Sequence, residues 1–176
     1  MLRFFLILIF SVKSSLLFAQ GYDVFGIGFY DVKLDGSSSK FATDYRYERR
    51  FDKTLIDIGP EEDNFFYLKP FAGIEFTSDS AFYLLGGIYL EDNLGELIVG
   101  KENKWKLIPS FGFGYYDDGN GKNIGNAIEF RTTLEINYQL DNLERIGISF
   151  GHISNANIGD KNPGVEIISF SYQKPF

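Results

Sequence analysis

His152, Ser154 and Glu166 are the residues whose types and spacing could do chemistry. His152 is the only histidine in the 176-residue chain, so a base that works near neutral pH has one candidate. Ser154 follows two residues later, and Glu166 twelve residues after that. A serine hydroxyl is inert at neutral pH until a base takes its proton, and the base needs a third group to orient its ring. Serine, histidine and carboxylate in one row are therefore the parts of a site for acyl transfer.

Strand arithmetic puts them in a row. The segments on either side of residues 155–163 alternate in polarity with period two, so each reads as a strand of one hairpin. A loop symmetric about Gly159 sets residue 152 against residue 166, with Cβ atoms about 5 Å apart. Ser154 shares that face, about 6.5 Å along the strand from His152. Each residue also has an ordinary explanation. A histidine can sit at a barrel rim, a serine can start a turn, and a glutamate can pair with a histidine across strands.

Composition narrows the chemistry. There is no Cys, which excludes disulfide frameworks, CxxC redox pairs and thiolate zinc sites, and one His cannot make a histidine cluster. With 17 Lys plus Arg against 24 Asp plus Glu, nucleic acid is not an expected partner. Asp117-Asp118-Gly119-Asn120-Gly121 superficially resembles a calcium loop, but it lacks the spaced ligands and closing Glu of one and reads as a Gly-rich turn. The expectation is that the site uses no metal and no cofactor.

The elements that must position these residues are strands. Residues 1–19 have a short basic start, an apolar run from Phe4 to Val12 and small residues up to Ala19, and they read as a signal peptide cleaved near Ala19 or Gln20. Its loss removes Arg3 and Lys13, leaving 15 bases against 24 acids and a formal charge of −9. Residues 20–176 then form one β domain. From 126 to 140, Ile128, Phe130, Leu134, Ile136 and Tyr138 share one face, while Glu129, Arg131, Glu135 and Asn137 share the other. Such long strands, together with export and an aromatic C-terminal residue, Phe176, favour an all-β fold with aromatics turned to lipid and charges turned to the lumen. That fold is an eight-stranded antiparallel transmembrane β-barrel.

The expected strands are 22–32, 40–56, 64–76, 81–98, 104–116, 126–140, 144–154 and 164–176, with Gly86, Gly87 and Gly95 able to mark a bulge in the fourth. Both termini then lie on the periplasmic side. Connections 33–39, 77–80, 117–125 and 155–163 face outward, and those near 57–63, 99–103 and 141–143 face the periplasm. The aromatic excess, 19 Phe, 11 Tyr and 1 Trp, is read as the lipid-facing wall and not as a core. On strand seven, His152 and Ser154 continue the lipid-facing parity of Ile146, Ile148 and Phe150. On strand eight, Glu166 shares the parity of Ile168, Phe170 and Tyr172. Polar groups on a surface facing hydrocarbon are costly, which points to function.

The stretch from Phe150 to Glu166, FGHISNANIGDKNPGVE, resembles the signature of the PagL-type lipid A 3-O-deacylases, outer-membrane acyloxyacyl hydrolases with the pattern H-x-S-N followed by Glu. The upstream PSFGFGYYDDGNGKNIGNAIEFR is also similar to family members. The resemblance implies Ser154 as nucleophile, His152 as general base and then acid, and Glu166 as the group that holds the imidazole. It places Asn162 at the oxyanion position, a role suited to a side-chain amide donor, and Asn155 in support of the loop. Asn162-Pro163-Gly164 has turn chemistry as well. The implied substrate is lipid A, or lipopolysaccharide, in the outer leaflet of the bacterial outer membrane. The implied reaction is hydrolysis of the ester that carries its 3-O-linked 3-hydroxyacyl chain. Membrane lipid is the other expected partner, and a homodimer is compatible with this reading. Two further readings stay open: a non-catalytic structural or adhesive barrel, and a soluble lipocalin-like barrel that binds an apolar ligand inside.

Overall fold

Alternating patterning becomes eight long antiparallel strands in the computed structural model, which describes residues 20–33, 42–58 and 66–176. The barrel strands are β1 Gly21–Tyr30, β2 Ala42–Phe51, β3 Phe66–Thr77, β4 Phe82–Tyr89, β5 Trp105–Asp117, β6 Ile128–Gln139, β7 Arg145–Ser154 and β8 Val165–Pro175. Each pairs with the next in sequence. β1 also pairs with β8, so the sheet closes into an eight-stranded antiparallel β-barrel. Closure gives every barrel strand two neighbours, which is how a β structure meets its backbone hydrogen bonds in lipid. The expected signal peptide, residues 1–19, and most of the expected connections 33–39 and 57–63 lie outside the described residues.

The strand boundaries need three corrections. The second strand stops at Phe51 instead of 56, and Ile56–Ile58 is a separate short strand paired with the start of β3. The fourth strand was expected over 81–98, but β4 ends at Tyr89. A two-residue strand, Asp92–Asn93, and a helix, α1 Leu94–Val99, follow it. Local signals explain the helix: Asn93 caps it by accepting from the N–H groups of Gly95 and Glu96, Glu96 lies in the first turn, and Gly100 ends it at φ 66°. The third correction concerns Gly86 and Gly87, which make no bulge, since the register with both neighbours runs straight through them. Gly87 and its register partner Gly112 make room instead: a Cβ on Gly87 would lie 2.7 Å from the Phe71 ring, and one on Gly112 would lie 3.0 Å from it.

The two faces of the wall sort by charge. Ile27, Phe113 and Phe170 are more than half exposed on the outer face, whereas Glu48, Glu129 and Glu135 are fully buried inside. Inside, Arg131 pairs with Glu48 and with Glu75 (Nη1–Oε2 2.7 Å), and Arg50 bridges Glu48 at 2.8 Å and Glu135 at 3.1 Å. Arg46 adds a contact of 3.1 Å to Glu135. The expectation that the aromatic excess lies wholly on the outer wall is only partly met, because Tyr30, Phe71, Tyr83, Tyr89 and Tyr116 fill the interior. Tyrosine suits that position because its ring fills volume while its hydroxyl finds a partner. Tyr30 donates to the Tyr116 hydroxyl at 3.0 Å, and Tyr83 donates to the Glu129 carbonyl at 2.8 Å. At the end of the barrel where β1 begins and β8 finishes, the Phe176 ring sits under the Arg49 guanidinium, 3.8 Å from its carbon, and its N–H donates to the Gly21 carbonyl at 3.1 Å.

Removing Arg131 from the interior charge network leaves Glu75 buried without its cation and takes one of the cations from Glu48. Arg131→Met is expected to destabilise the barrel by about 3–5 kcal/mol. Adding Glu48→Gln and Glu75→Gln to that variant should restore part of the loss. The urea midpoint of the refolded chain, followed by the electrophoretic mobility of its folded form, measures both.

Candidate active site

The hairpin β7–β8 carries the candidate residues, and its register is the one expected from symmetry about Gly159. Glu166 stands directly opposite His152, Val165 opposite Ile153 and Ile168 opposite Phe150. His152 Nδ1 lies 3.3 Å from Glu166 Oε1, with side chains 42% and 30% exposed. A proton on Nδ1 directed at that carboxylate leaves Nε2 unprotonated, as a general base requires. Inward-facing Ile153 and Val165 are fully buried, so the two strands that hold the pair are anchored from inside the barrel.

Ser154 ends β7 on the same outer face as His152, one side-chain step further toward the loop. Its register partner on β6 is Phe130, and that of His152 is Thr132. Its hydroxyl forms no hydrogen bond to another described residue, so the structure joins His152 to Glu166 and leaves Ser154 beside them and untethered.

Asn155 and Asn162 play different parts in the loop that follows. Asn155 is fully buried and fully used: its amide donates to the carbonyls of Ile124 at 3.0 Å and Lys161 at 2.8 Å, and its Oδ1 accepts from the Asn157 N–H at 3.0 Å. Ala156 and Asn157 turn the chain with φ of 53° and 63°. Asn155 therefore ties the loop after β7 to the neighbouring loop before β6, a link that no local spacing could have revealed. Asn162 Oδ1 accepts from the Asn155 backbone N–H at 3.0 Å, which holds that amide by its oxygen and leaves its NH₂ group to donate elsewhere.

The β1 end borders the site. Val32 N–H donates to the Glu166 carbonyl at 3.0 Å. Beyond it, Lys33 and Lys122 both reach Asp31, at 3.0 and 2.6 Å. The hydrogen bond to Asp31 holds the Lys33 ammonium above its ordinary pKa, and the charge of Glu166 acts in the same direction. The segment from Asp117 to Gly121 is a turn: Asp117 accepts from the Gly119 N–H at 3.1 Å, and Gly119 has φ 52°.

Residues 97–175 match a family model described as lipid A 3-O-deacylase (PagL). The lipid A deacylase PagL of Bordetella bronchiseptica is 36% identical over 55 residues, which is 31% of each chain, so the matched stretch spans about a third of that relative. The crystal structure of the outer membrane enzyme PagL superposes with a TM-score of 0.65 at 16% identity, covering 88% of this chain and 99% of the other. A de novo designed transmembrane β-barrel superposes with a TM-score of 0.53 at 13% identity, covering 89% and 96%. The structural likenesses speak to the fold, an eight-stranded barrel. The two sequence matches agree with the PagL-type resemblance carried by residues 150–166.

The hydrogen bonds of Asn155 make a local prediction. Asn155→Ala leaves buried carbonyls without a donor, a cost of about 1–3 kcal/mol. Hydrogen exchange is expected to speed up in both loops, 118–127 and 155–164, while amides in the middle of β6 and β7 keep their protection. Asn162→Ala removes a single acceptor and should perturb the second loop alone.

Proposed function

We propose that this PagL-type barrel is an outer-membrane esterase that removes the 3-O-linked 3-hydroxyacyl chain of lipid A, with Ser154 as nucleophile. The observation that carries the reading is the His152–Glu166 pair, at 3.3 Å on the outer face of the barrel, with Ser154 next along the same face. Polar side chains on that face are out of place unless they act on something that arrives from the membrane. Lipid A fits this demand, since its acyl chains lie in the leaflet and its ester linkages lie at the level of the glucosamine headgroup. Export through a signal peptide cleaved near Ala19 or Gln20 belongs to the same reading.

The chemistry follows from the positions. His152 Nε2 takes the Ser154 hydroxyl proton as Oγ attacks the ester carbonyl, and Glu166 stabilises the imidazolium that forms. The Asn162 NH₂ donates to the oxyanion of the tetrahedral intermediate. When the intermediate collapses, the bond to the sugar oxygen breaks, and His152 returns its proton to that oxygen. The 3-hydroxyl of the glucosamine leaves and an acyl-Ser154 ester remains. Water, deprotonated by His152, then attacks this ester. The fatty acid is released and Ser154 regains its proton. Every proton moves through one imidazole, which agrees with a chain that has a single histidine. No step calls on a metal or a cofactor.

Mass spectrometry of lipid A from cells expressing the chain tests the reading. Wild type should release one 3-hydroxyacyl group per lipid A, and Ser154→Ala and His152→Ala should release none. Glu166→Ala should retain residual turnover, because it removes the orienting group and leaves the base in place. Asn162→Ala is expected to lower kcat by roughly 100-fold, the usual cost of one oxyanion donor at about 3 kcal/mol. Intact lipid A from a correctly folded wild-type barrel would sink the assignment in favour of a non-catalytic barrel.

A further inference from the structure

Gly164 precedes β8 at φ 56° and is buried. Continuing the β7–β8 register by one residue sets it opposite Ser154. A Cβ built on Gly164 would lie 2.8 Å from His152 Cε1 and 3.4 Å from Nε2, with the Ile153 carbonyl at 3.3 Å. The Cε1–Nε2 edge of the imidazole therefore rests on the bare α-carbon of Gly164, while Nδ1 points the other way, to Glu166. The ring is held between a carboxylate on one rung and a glycine on the next, and the edge resting on the glycine carries the nitrogen that must meet Ser154.

We infer that Gly164 is a positioning residue for His152: its missing side chain is the seat that aims Nε2 along β7 at Ser154. The inference rests on the hydrolase reading above. Two properties of glycine coincide at this position, and they can be separated. A positive φ favours glycine for backbone reasons alone, and asparagine tolerates it as well. Room for the imidazole is denied by any side chain, asparagine included. Gly100 serves as the control, since it has φ 66° with nothing within 4 Å of a built Cβ.

The experiment compares Gly164→Ala, Gly164→Asn and Gly100→Ala in the refolded full-length barrel. Deacylation kinetics are read beside the NMR signal of the imidazole Cε1–H, which is unique because the chain has one histidine. Both Gly164 variants should lose kcat on the order of 100-fold, the scale set by a reactive group displaced by about 1 Å, with little change in KM. Both should also move the Cε1–H resonance and the pH midpoint of the rate, while Gly100→Ala matches wild type. Recovery of activity in Gly164→Asn would assign the effect to backbone strain and overturn the inference, as would full activity in both variants. In the unmodified protein a nuclear Overhauser contact between His152 Cε1–H and the Gly164 α-protons is expected, and its absence overturns the inference whatever the variants do. An inactive wild type that keeps this contact and the resonance shifts would fail the hydrolase reading and leave the seat intact.

Discussion

A wall one strand thick separates hydrocarbon from the barrel interior, and the rest of the molecule depends on how that wall assigns its polar groups. Backbone groups are satisfied by closure of the sheet through β1 and β8. Side chains have no such general solution, so alternate residues must go to opposite solvents. Arg46, Arg50 and Arg131 face inward and are bound to Glu48, Glu75 and Glu135. Isolated in a barrel too narrow for bulk water, any one of them would be costly; as a network, each charge lies among opposite charges. The network leaves the outer face free to be apolar, and against that apolar face the placement of His152, Ser154 and Glu166 carries information.

The candidate site sits where this assignment changes. At the end of β7 and the start of β8 the outer face turns from Ile148, Phe150 and Ile168 to His152, Ser154 and Glu166. Hairpin geometry then does most of the positioning: antiparallel register sets Glu166 against His152, and period two sets Ser154 beside it. The loop is held from the opposite side, through Asn155, by the carbonyls of Ile124 and Lys161. A pair of strands thus carries His152 and Glu166, and a loop fastened to a second loop carries Asn162. In the reaction proposed above, this division keeps the proton path fixed while a bulky lipid headgroup comes and goes.

Much of this was legible in the sequence because it follows from periods and parities. Period two showed which residues face out, and eight alternating segments gave the strand count. The polar residues on the apolar parity of strands seven and eight marked the candidate residues, of which the register brings His152 and Glu166 together. What was not legible depends on contacts between segments distant in sequence. Asn155 looked like part of a motif, and its link to Ile124 belongs to the packing of two loops. The interior tyrosines were missed because the aromatic excess was assigned as a whole to the lipid-facing wall, although parity sets Tyr30 opposite Phe25, Ile27 and Phe29; Tyr30 donates to the Tyr116 hydroxyl across 86 residues, and Tyr116 donates to the Lys122 carbonyl. Helix α1 was readable, since Asn93, Glu96 and Gly100 are its caps and first-turn acid, but six residues are too few for helical periodicity to outweigh the strand pattern around them.

The geometry also bears on the direction of approach. A site inside the lumen would face Tyr83, Arg131 and Glu75, which are buried and, for the last two, ion-paired. On the outer face, the register partners of Ser154 and His152 on β6 are Phe130 and Thr132, and the next outward residue down that strand, Leu134, is half exposed. Under the proposed function, a hydrocarbon chain lying on that surface meets Leu134 and Phe130, with Thr132 between them, and reaches Ser154 at the end of β7. Burial of the chain is already provided by the membrane, so the protein need not build a deep pocket. Under the proposed function, what it must supply is a fixed imidazole, a hydroxyl beside it and an amide donor at the level of the ester. That is a demand on a few rungs of one hairpin, and it is why a barrel this small can serve as the scaffold.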